Sequence, residues 1–248
     1  MKEFSAETEL KKLTKFIQKY VSDNQIDGVV IGISGGKDST IASAIFAHIL
    51  GPVNVIGITI PCHSIDNDTN DAKKVAKLLG FKLYEINITN AYEELTNVID
   101  LELDINSKAV LKDAQINIKP RLRMSTLYYV AQALSKKNNK RYIVAGTGNK
   151  CEIYVGYFTK FGDGASDINI LANYTVSEVL KLGDYLRLPK ELVYKTPSDG
   201  LSGISDEEKM GVTYAQIEKH INREKFNQIV DKMHKNSEHK RKEIVTNC

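Results

Sequence analysis

Residues 29–39 read VVIGISGGKDS, and this stretch decides the fold. Its first part, residues 29–33, is a short apolar run rich in β-branched side chains, which is typical of a strand buried on both faces of a parallel sheet. Two glycines follow, and the next apolar segment, residues 40–50, is closed by Gly51 and Pro52, which commonly end a helix. The stretch therefore predicts a strand, a glycine turn and a helix in succession.

The same alternation continues along the chain. The predicted strands are 29–33, 53–60, 82–88 and 142–145; the predicted helices are 40–50, 69–79, 91–99 and 121–136, and a polar connector is expected around 103–119. This order predicts an α/β fold with a doubly wound, mostly parallel five-stranded sheet and helices on both faces. Because ligands bind at the carboxyl ends of such strands, we expect the two glycine loops, 34–36 and 146–148, to border one site.

The flanking segments suggest one domain over residues 1–248. Residues 5–22 place Leu10, Leu13 and Ile17 on one face and predict an amphipathic helix. A stretch with many serines and glycines, about 195–211, is expected to be a mobile loop near the substrate. Residues 232–242 read KMHKNSEHKRK, which indicates either a solvated basic tail or a clamp for an anion.

Composition excludes several classes of protein. The 248 residues are 42% hydrophobic and 26% charged, as in ordinary globular domains, and no run approaches the ~18 apolar residues of a membrane span. A net charge of +3 is too balanced for generic nucleic-acid binding. The three cysteines are scattered without CxxC spacing, which favours neither a disulfide framework nor a thiolate zinc site. A reducing compartment, by default the cytoplasm, fits best.

The loop at residues 34–39 predicts an anion site. Glycines at a helix start let free backbone N–H groups surround a phosphate. Neither GxxxxGK[ST] nor GxGxxG fits the sequence, and a carboxylate at Asp38 would repel phosphate unless a cation lay between them, which favours Mg²⁺. The alternative is a tight turn in which Asp38 is only an acid at a helix start.

SGGKDS resembles the SGGxDS signature of the N-type ATP pyrophosphatases. Residues 146–169, GTGNKCEIYVGYFTKFGDGASDIN, resemble the signature region of the ammonia-dependent NAD synthetase family, and the resemblance extends from Gly32 to Arg241. It implies that ATP adenylates the nicotinate carboxylate of deamido-NAD and that ammonia then displaces AMP to give NAD. It also implies Mg²⁺ and a homodimer. The length leaves no room for a glutaminase domain, so free ammonia is the expected donor, and no nucleic-acid or membrane partner is expected.

The resemblance assigns site residues. It implies an ATP-binding set of Gly32, Ile33, Ser34, Gly35, Gly36, Lys37, Asp38, Ser39, Thr147 and Ser198. It implies a deamido-NAD set of Arg121, Lys160, Asp167, His239 and Lys240, with Asp38 and Glu152 as metal ligands and Asp38, Glu152 and Lys160 as catalytic residues. The alternative is that Glu152 is an ordinary surface acid at a helix start and that Thr147 is an ordinary helix cap.

Departures from the family pattern leave some points open. Val176 stands where the family usually has an ATP-binding lysine, and Lys37 is a candidate substitute. Pro120 and Asp199 each stand where alanine is usual. Asp163 or Asp167 could accept a proton from ammonium, and the sequence does not separate them. Two alternative functions remain: a tRNA-modifying member of the superfamily, and a nucleotide sensor without chemistry.

Overall fold

The computed structural model describes residues 4–63, 66–105, 107–194 and 205–247. At its centre lies a sheet with the strand order β3-β2-β1-β4-β5, in which every neighbouring pair runs parallel. The strands are β1 (Gly28–Gly32), β2 (Val55–Thr59), β3 (Lys82–Glu85), β4 (Tyr142–Gly146) and β5 (Ile168–Asn169). The predicted doubly wound α/β fold is confirmed.

Helices cover both faces of this sheet and continue beyond it. They are α1 (Ala6–Asp23), α2 (Lys37–Leu50), α3 (Asp66–Leu79), α4 (Thr89–Glu102), α5 (Lys108–Gln115), α6 (Ile118–Asn138), α7 (Lys150–Val155), α8 (Val176–Tyr185), α9 (Lys190–Val193), α10 (Asp206–Met210), α11 (Tyr214–Ile221), α12 (Gln228–Asn236) and α13 (Glu238–Arg241). A 3-10 turn, Pro52–Asn54, precedes β2. Within the described ranges, no helix is both long and apolar enough to cross a bilayer.

The apolar run of β1 is buried on both faces, as its composition predicts. Val29 and Ile31 pack into one core with α1, α2, α3, α8 and α9. Val30 points the other way, into a second core with α4 and α6. Because side chains alternate across a strand, a run without polar residues is needed to satisfy both cores at once.

A third cluster lies beyond the sheet and supports the carboxyl ends of its strands. It joins α7 and α8 to α10, α11 and α12 through buried side chains that include Cys151, Val176, Tyr214 and Ile217. The C-terminal third of the chain is therefore packed against the helix that follows β4.

The strand order places the candidate site. The chain runs from β1 outward through β2 to β3 and then returns to the opposite side of β1 as β4. The loops after β1 and β4 consequently diverge at the point where strand order reverses, which is where open parallel sheets leave a crevice for ligands.

One expectation about a loop is wrong, and a second stays a prediction over most of its length. The connector predicted at 103–119 contains α5, whose sequence KAVLKDAQ consists mostly of good helix formers. The expected mobile loop at about 195–211 contains α10, which begins at the capping box of Ser205 and Glu208. Residues 195–204, with Ser198 and Asp199, lie outside the described residues.

Candidate active site

The loop after β1 forms a turn suited to an anion at the start of α2. Gly35 has a φ of +75°, which glycine adopts without the strain a Cβ would add. Gly36 is the N-cap of α2, and no described side chain caps that helix, so its first backbone N–H groups face outward for a ligand. Ser39 Oγ braces the turn by donating to the Gly36 carbonyl oxygen at 3.1 Å.

Lys37 and Asp38, the first residues of α2, form a buried ion pair. Lys37 Nζ lies 2.8 Å from Asp38 Oδ2, and the two side chains are 6% and 16% exposed. Burial alone lowers the pKa of Lys37, but the carboxylates of Asp38, Glu152 and Asp206 outweigh burial and leave that pKa above its ordinary value. The ammonium group therefore stays charged beside these acids.

The second glycine loop leads from β4 into α7, and Asn149 organises it. Asn149 is fully buried, and its Oδ1 accepts hydrogen bonds from the backbone N–H groups of Cys151 and Glu152 at 3.0 and 3.1 Å. Glu152 completes a capping box by accepting from the Asn149 N–H at 3.0 Å. Asn149 Nδ2 also donates to Asp38 Oδ1 at 3.3 Å. The two glycine loops therefore meet, as predicted, and one asparagine connects both acids.

Asp38 and Glu152 fit a magnesium ion that is completed by phosphate. Burial raises the pKa of Glu152, and the negative charge of Asp38 raises it further, so the two carboxylates are close enough to repel each other. In the described part of the chain, no group of three or more acidic, His or Cys side chains is arranged around a metal position. Mg²⁺ is usually held by one or two protein carboxylates together with substrate phosphates, and this pair provides that arrangement.

Two residues that the sequence analysis missed complete the cluster. Tyr157 Oη donates to Asp206 Oδ1 at 3.1 Å, which positions the Asp206 carboxylate close enough to affect Lys37 and Glu152. Tyr214 is 6% exposed, and its hydroxyl has no hydrogen-bond partner among the described residues. Lys37 Nζ lies 5.1 Å from the centre of the Tyr214 ring. The capping boxes that start at Ser205 and Thr213 were visible in the sequence and could have located both helices.

Basic residues join the C-terminal part of the chain to residues 146–169, which we call the signature segment. We call residues 237–242 the C-terminal clasp. Lys160 Nζ donates to the carbonyl oxygen of His239 at 2.7 Å, while Lys240 Nζ donates to the carbonyl oxygens of Gly156 and Phe158 at 2.8 and 2.6 Å. Arg241 donates to the Tyr154 carbonyl oxygen at 3.0 Å. The cluster predicted as a tail or a clamp thus lies against α7 and the segment after it, and its Lys240 and Arg241 donate to backbone carbonyl oxygens there.

The two candidate proton acceptors differ in their surroundings. Asp167 is engaged by the sheet, because its Oδ2 accepts from the Val144 N–H at 2.7 Å and its Oδ1 from Tyr128 Oη at 3.3 Å. Asp163 accepts from the Thr159 N–H at 2.9 Å through Oδ1. The surrounding protein raises the pKa of Asp163 although the residue is exposed, against the opposing effects of Thr159 and Lys240.

The remaining predicted residues are spread around this centre. Thr147 is half-buried in the loop after β4, and Arg121 is exposed in the first turns of α6. Val176, where the family usually has a lysine, is buried in the same cluster as Tyr214, and Lys37 Nζ lies over the Tyr214 ring. Burial raises the pKa of the Cys151 thiol to about 12. Cys62 is also fully buried.

A polar cleft of about 350 Å³ opens beside the ends of β2 and β3. It is lined by Pro61, His63, Thr69, Asn70, Lys73, Glu85, Asn87 and Thr89. Ile33 N–H donates to the Ile58 carbonyl oxygen at 2.8 Å, which links the end of β2 to the start of the glycine loop at residues 34–36. The cleft therefore lies at the same edge of the sheet as the two glycine loops.

Comparison with known proteins agrees with this geometry. The family model described as NAD synthase matches residues 9–247. An NH(3)-dependent NAD(+) synthetase of Carboxydothermus hydrogenoformans is 36% identical over 241 residues, which cover 95% of each chain. The solved structure of NMN synthetase from Francisella tularensis is similar with a TM-score of 0.85 and 35% identity, covering 98% of this chain and 99% of that one. The structure of NAD+ synthetase from Burkholderia pseudomallei is similar with a TM-score of 0.77 and 25% identity, covering 96% and 91%.

The match to the family model spans nearly the whole chain, and it includes the glycine loop at residues 34–36, the acid pair with its bridging asparagine and the clasp. The chain therefore belongs to the NAD synthase family.

Proposed function

We propose that this protein uses ATP to amidate deamido-NAD with free ammonia, giving NAD, AMP and pyrophosphate through an adenylated carboxylate. The observation that carries the proposal is the meeting of the two glycine loops, where Asn149 joins Asp38 to Glu152 at the carboxyl ends of β1 and β4. The relative from Carboxydothermus hydrogenoformans, named as an ammonia-dependent synthetase, covers 95% of this chain without large unmatched regions.

The ATP side of the reaction depends on charge. The loop at 34–39 and the start of α2 receive the phosphates, while the polar cleft beside Pro61 offers room for the nucleoside. Asp38 and Glu152 would hold Mg²⁺, which supplies positive charge against the departing pyrophosphate. Lys37 adds a second positive charge at the same place. Together these groups make the α-phosphorus a better target for a weak carboxylate nucleophile.

The nicotinate side needs an acceptor for the proton that ammonium releases. Asp163 suits this role better than Asp167, because both carboxylate oxygens of Asp167 are already held by Val144 and Tyr128. A raised pKa makes Asp163 a stronger base than an ordinary aspartate once it is ionised. Arg121, Lys160, Asp167, His239 and Lys240 remain the proposed contacts for the dinucleotide.

The test is release of AMP and pyrophosphate from ATP and Mg²⁺, with deamido-NAD and ammonium omitted in turn. Release should require deamido-NAD, and NAD should form only when ammonium is added. The rate at fixed total ammonium should rise with pH, because only neutral ammonia is a nucleophile. Release without deamido-NAD, or equal turnover with glutamine as the only donor, would contradict the proposal.

A second candidate substrate is nicotinate mononucleotide, the product then being NMN. The observation that favours it is the similarity to NMN synthetase, which is higher than to the Burkholderia NAD+ synthetase in both TM-score and identity. The two substrates share the carboxylate that reacts and differ in the adenylate half. Comparison of kcat/KM for deamido-NAD and for the mononucleotide, under the same ATP and ammonium, decides between them.

We also propose that the protein is a cytoplasmic homodimer with its sites near the subunit boundary. The buried free thiol of Cys151 suits a reducing compartment. The surface of α4, α5 and α6 supports the dimer, because it exposes several large apolar side chains, among them Val98, Leu101, Ile116 and Tyr129.

A further inference from the structure

Lys37 occupies an unusual position for a lysine. Charged side chains are rarely this buried unless they are paired, and Lys37 is only 6% exposed. Its Nζ donates to Asp38 Oδ2 at 2.8 Å and lies over the ring of Tyr214. An ammonium group has three N–H donors, and among the described residues its one hydrogen bond goes to Asp38.

The groups that surround this ammonium are mostly acids. Asp38 lies beside it on α2, and the charges of Glu152 on α7 and Asp206 on α10 are near enough to raise its pKa. The neutral phenol of Tyr214 covers the remaining side from α11, and burial together with those acids raises its pKa. One positive charge is therefore enclosed by three carboxylates that would otherwise repel one another.

Two of these carboxylates, those of Asp38 and Glu152, are the ones that would hold the metal. Of the two oxygens of Asp38, one accepts from Lys37 and the other from Asn149. Without nucleotide, a divalent ion would have to displace the ammonium group from Asp38 and would gain only protein ligands that are already hydrogen-bonded. With nucleotide, the phosphates supply further oxygens, and the ammonium group gains an alternative acceptor.

We propose that Lys37 is a tethered cation that occupies Asp38 in place of a divalent metal until ATP arrives, when its ammonium group transfers to a phosphate oxygen. Free enzyme then binds Mg²⁺ weakly, and the metal enters together with the nucleotide. This inference rests on the proposed use of ATP and Mg²⁺ at the site. It adds to that proposal a role for Lys37 and the entry of the metal together with the nucleotide.

The test is titration of the enzyme with Mn²⁺, followed by electron paramagnetic resonance of the free ion, in the absence of ATP. Lys37→Met keeps the apolar stem and removes the charge, and it should bind Mn²⁺ on the order of tenfold more tightly than the wild type. In calorimetry with EDTA present, the same variant should bind metal-free ATP on the order of tenfold more weakly. Lys37→Arg, which keeps a cation, should resemble the wild type in the Mn²⁺ titration.

Lys15→Met is the matched control, because Lys15 is exposed on α1 and should change neither affinity. Circular dichroism establishes that each variant is folded, and Lys37→Gln replaces Lys37→Met if the latter does not fold. Unchanged or weaker Mn²⁺ binding by the charge-removed variant overturns the proposal, as does unchanged ATP binding. Neither readout requires turnover, so failure of the amidation assay would overturn the proposed function without deciding this inference.

Discussion

Glu152 serves the fold and the site with the same carboxylate. It closes the capping box of α7, and in the same position it faces Asp38 in a buried setting that raises its pKa. Glu208 occupies the same place in the capping box of α10, but it is exposed, and hydrogen bonds from Ser205 lower its pKa. The two glutamates therefore share a local motif and differ in what ionisation does to stability.

In metal-free enzyme, Glu152→Gln should increase the free energy of unfolding at alkaline pH and leave it nearly unchanged below pH 4.5, the ordinary pKa of glutamate. Because the pKa of Glu152 is raised in the folded state, the wild type loses stability as pH rises from 4.5 through the folded-state pKa. The loss is about 1.4 kcal/mol for each pKa unit between the unfolded and folded states. Glutamine keeps the capping box and carries no charge. Urea unfolding in EDTA across this pH range measures the difference.

Glu208→Gln is the matched control with the opposite sign. Because the pKa of Glu208 is lowered, its stabilising effect is present above the ordinary pKa and disappears as pH falls. The variant should therefore be less stable than the wild type at neutral pH and equal to it in acid. A pH-independent effect of Glu152→Gln would show that Glu152 acts only as a helix cap.

The start of α7 illustrates the element scale, because one side chain supports both the helix and the acid pair. Asn149→Ala should destabilise the protein by about 1–2 kcal/mol and lower the rate of AMP release, since it removes the cap and the contact with Asp38. Asn149→Ser should recover most of the stability, because serine also caps helices, but not the rate. Urea unfolding and the AMP assay measure the two effects.

Asn227 provides the control for Asn149. Its Oδ1 caps α12 by accepting hydrogen bonds from the backbone N–H groups of Ile229 and Val230, as Asn149 Oδ1 does in α7. Asn227 lies away from Asp38 and Glu152. Asn227→Ala should cost a similar free energy of unfolding and leave kcat/KM for ATP unchanged. Equal loss of activity in both alanine variants would mean that Asn149 matters only for folding.

The C-terminal end of α7 is equally constrained. Gly156 has a φ of +71°, and a Cβ there would lie 2.1 Å from Ser237 Cβ of the clasp. Gly211 has a φ of +67° with open space around it. Gly156→Ala should therefore cost roughly 2–5 kcal/mol in urea unfolding, against about 1–2 for Gly211→Ala. Adding Ser237→Gly should relieve much of the excess in the first variant, and failure to do so would place the strain elsewhere.

Local patterns predicted the elements that have a local cause. The β1 run, the glycine turn and the stop at Gly51 lie within about two dozen residues, and the structure confirms each of them to within three residues. The helix α5 was missed because its polar surroundings hid a segment of good helix formers. Asp206 and Tyr214 were missed for a different reason: they reach Lys37 only through packing of the third cluster.

At the scale of the whole molecule, the apolar surface of α4, α5 and α6 predicts association. Leu101 is 82% exposed at the end of α4, and Leu101→Lys should shift a dimer towards monomer in sedimentation velocity. Val53→Lys is the control, because Val53 is 80% exposed in the turn before β2, away from that surface. A wild type that remains monomeric at high concentration would contradict the proposed dimer.

The C-terminal clasp also affects the order in which parts of the chain can fold during synthesis. Its hydrogen bonds join residues that are 79 to 88 positions apart, so the signature segment leaves the ribosome long before its partners do. Earlier parts of a chain generally fold first during synthesis. The loop at residues 34–39 can therefore form on the nascent chain before the segment after α7 gains its partners. Until residues 237–242 have been synthesised, the segment after α7 lacks the hydrogen bonds that hold it in place.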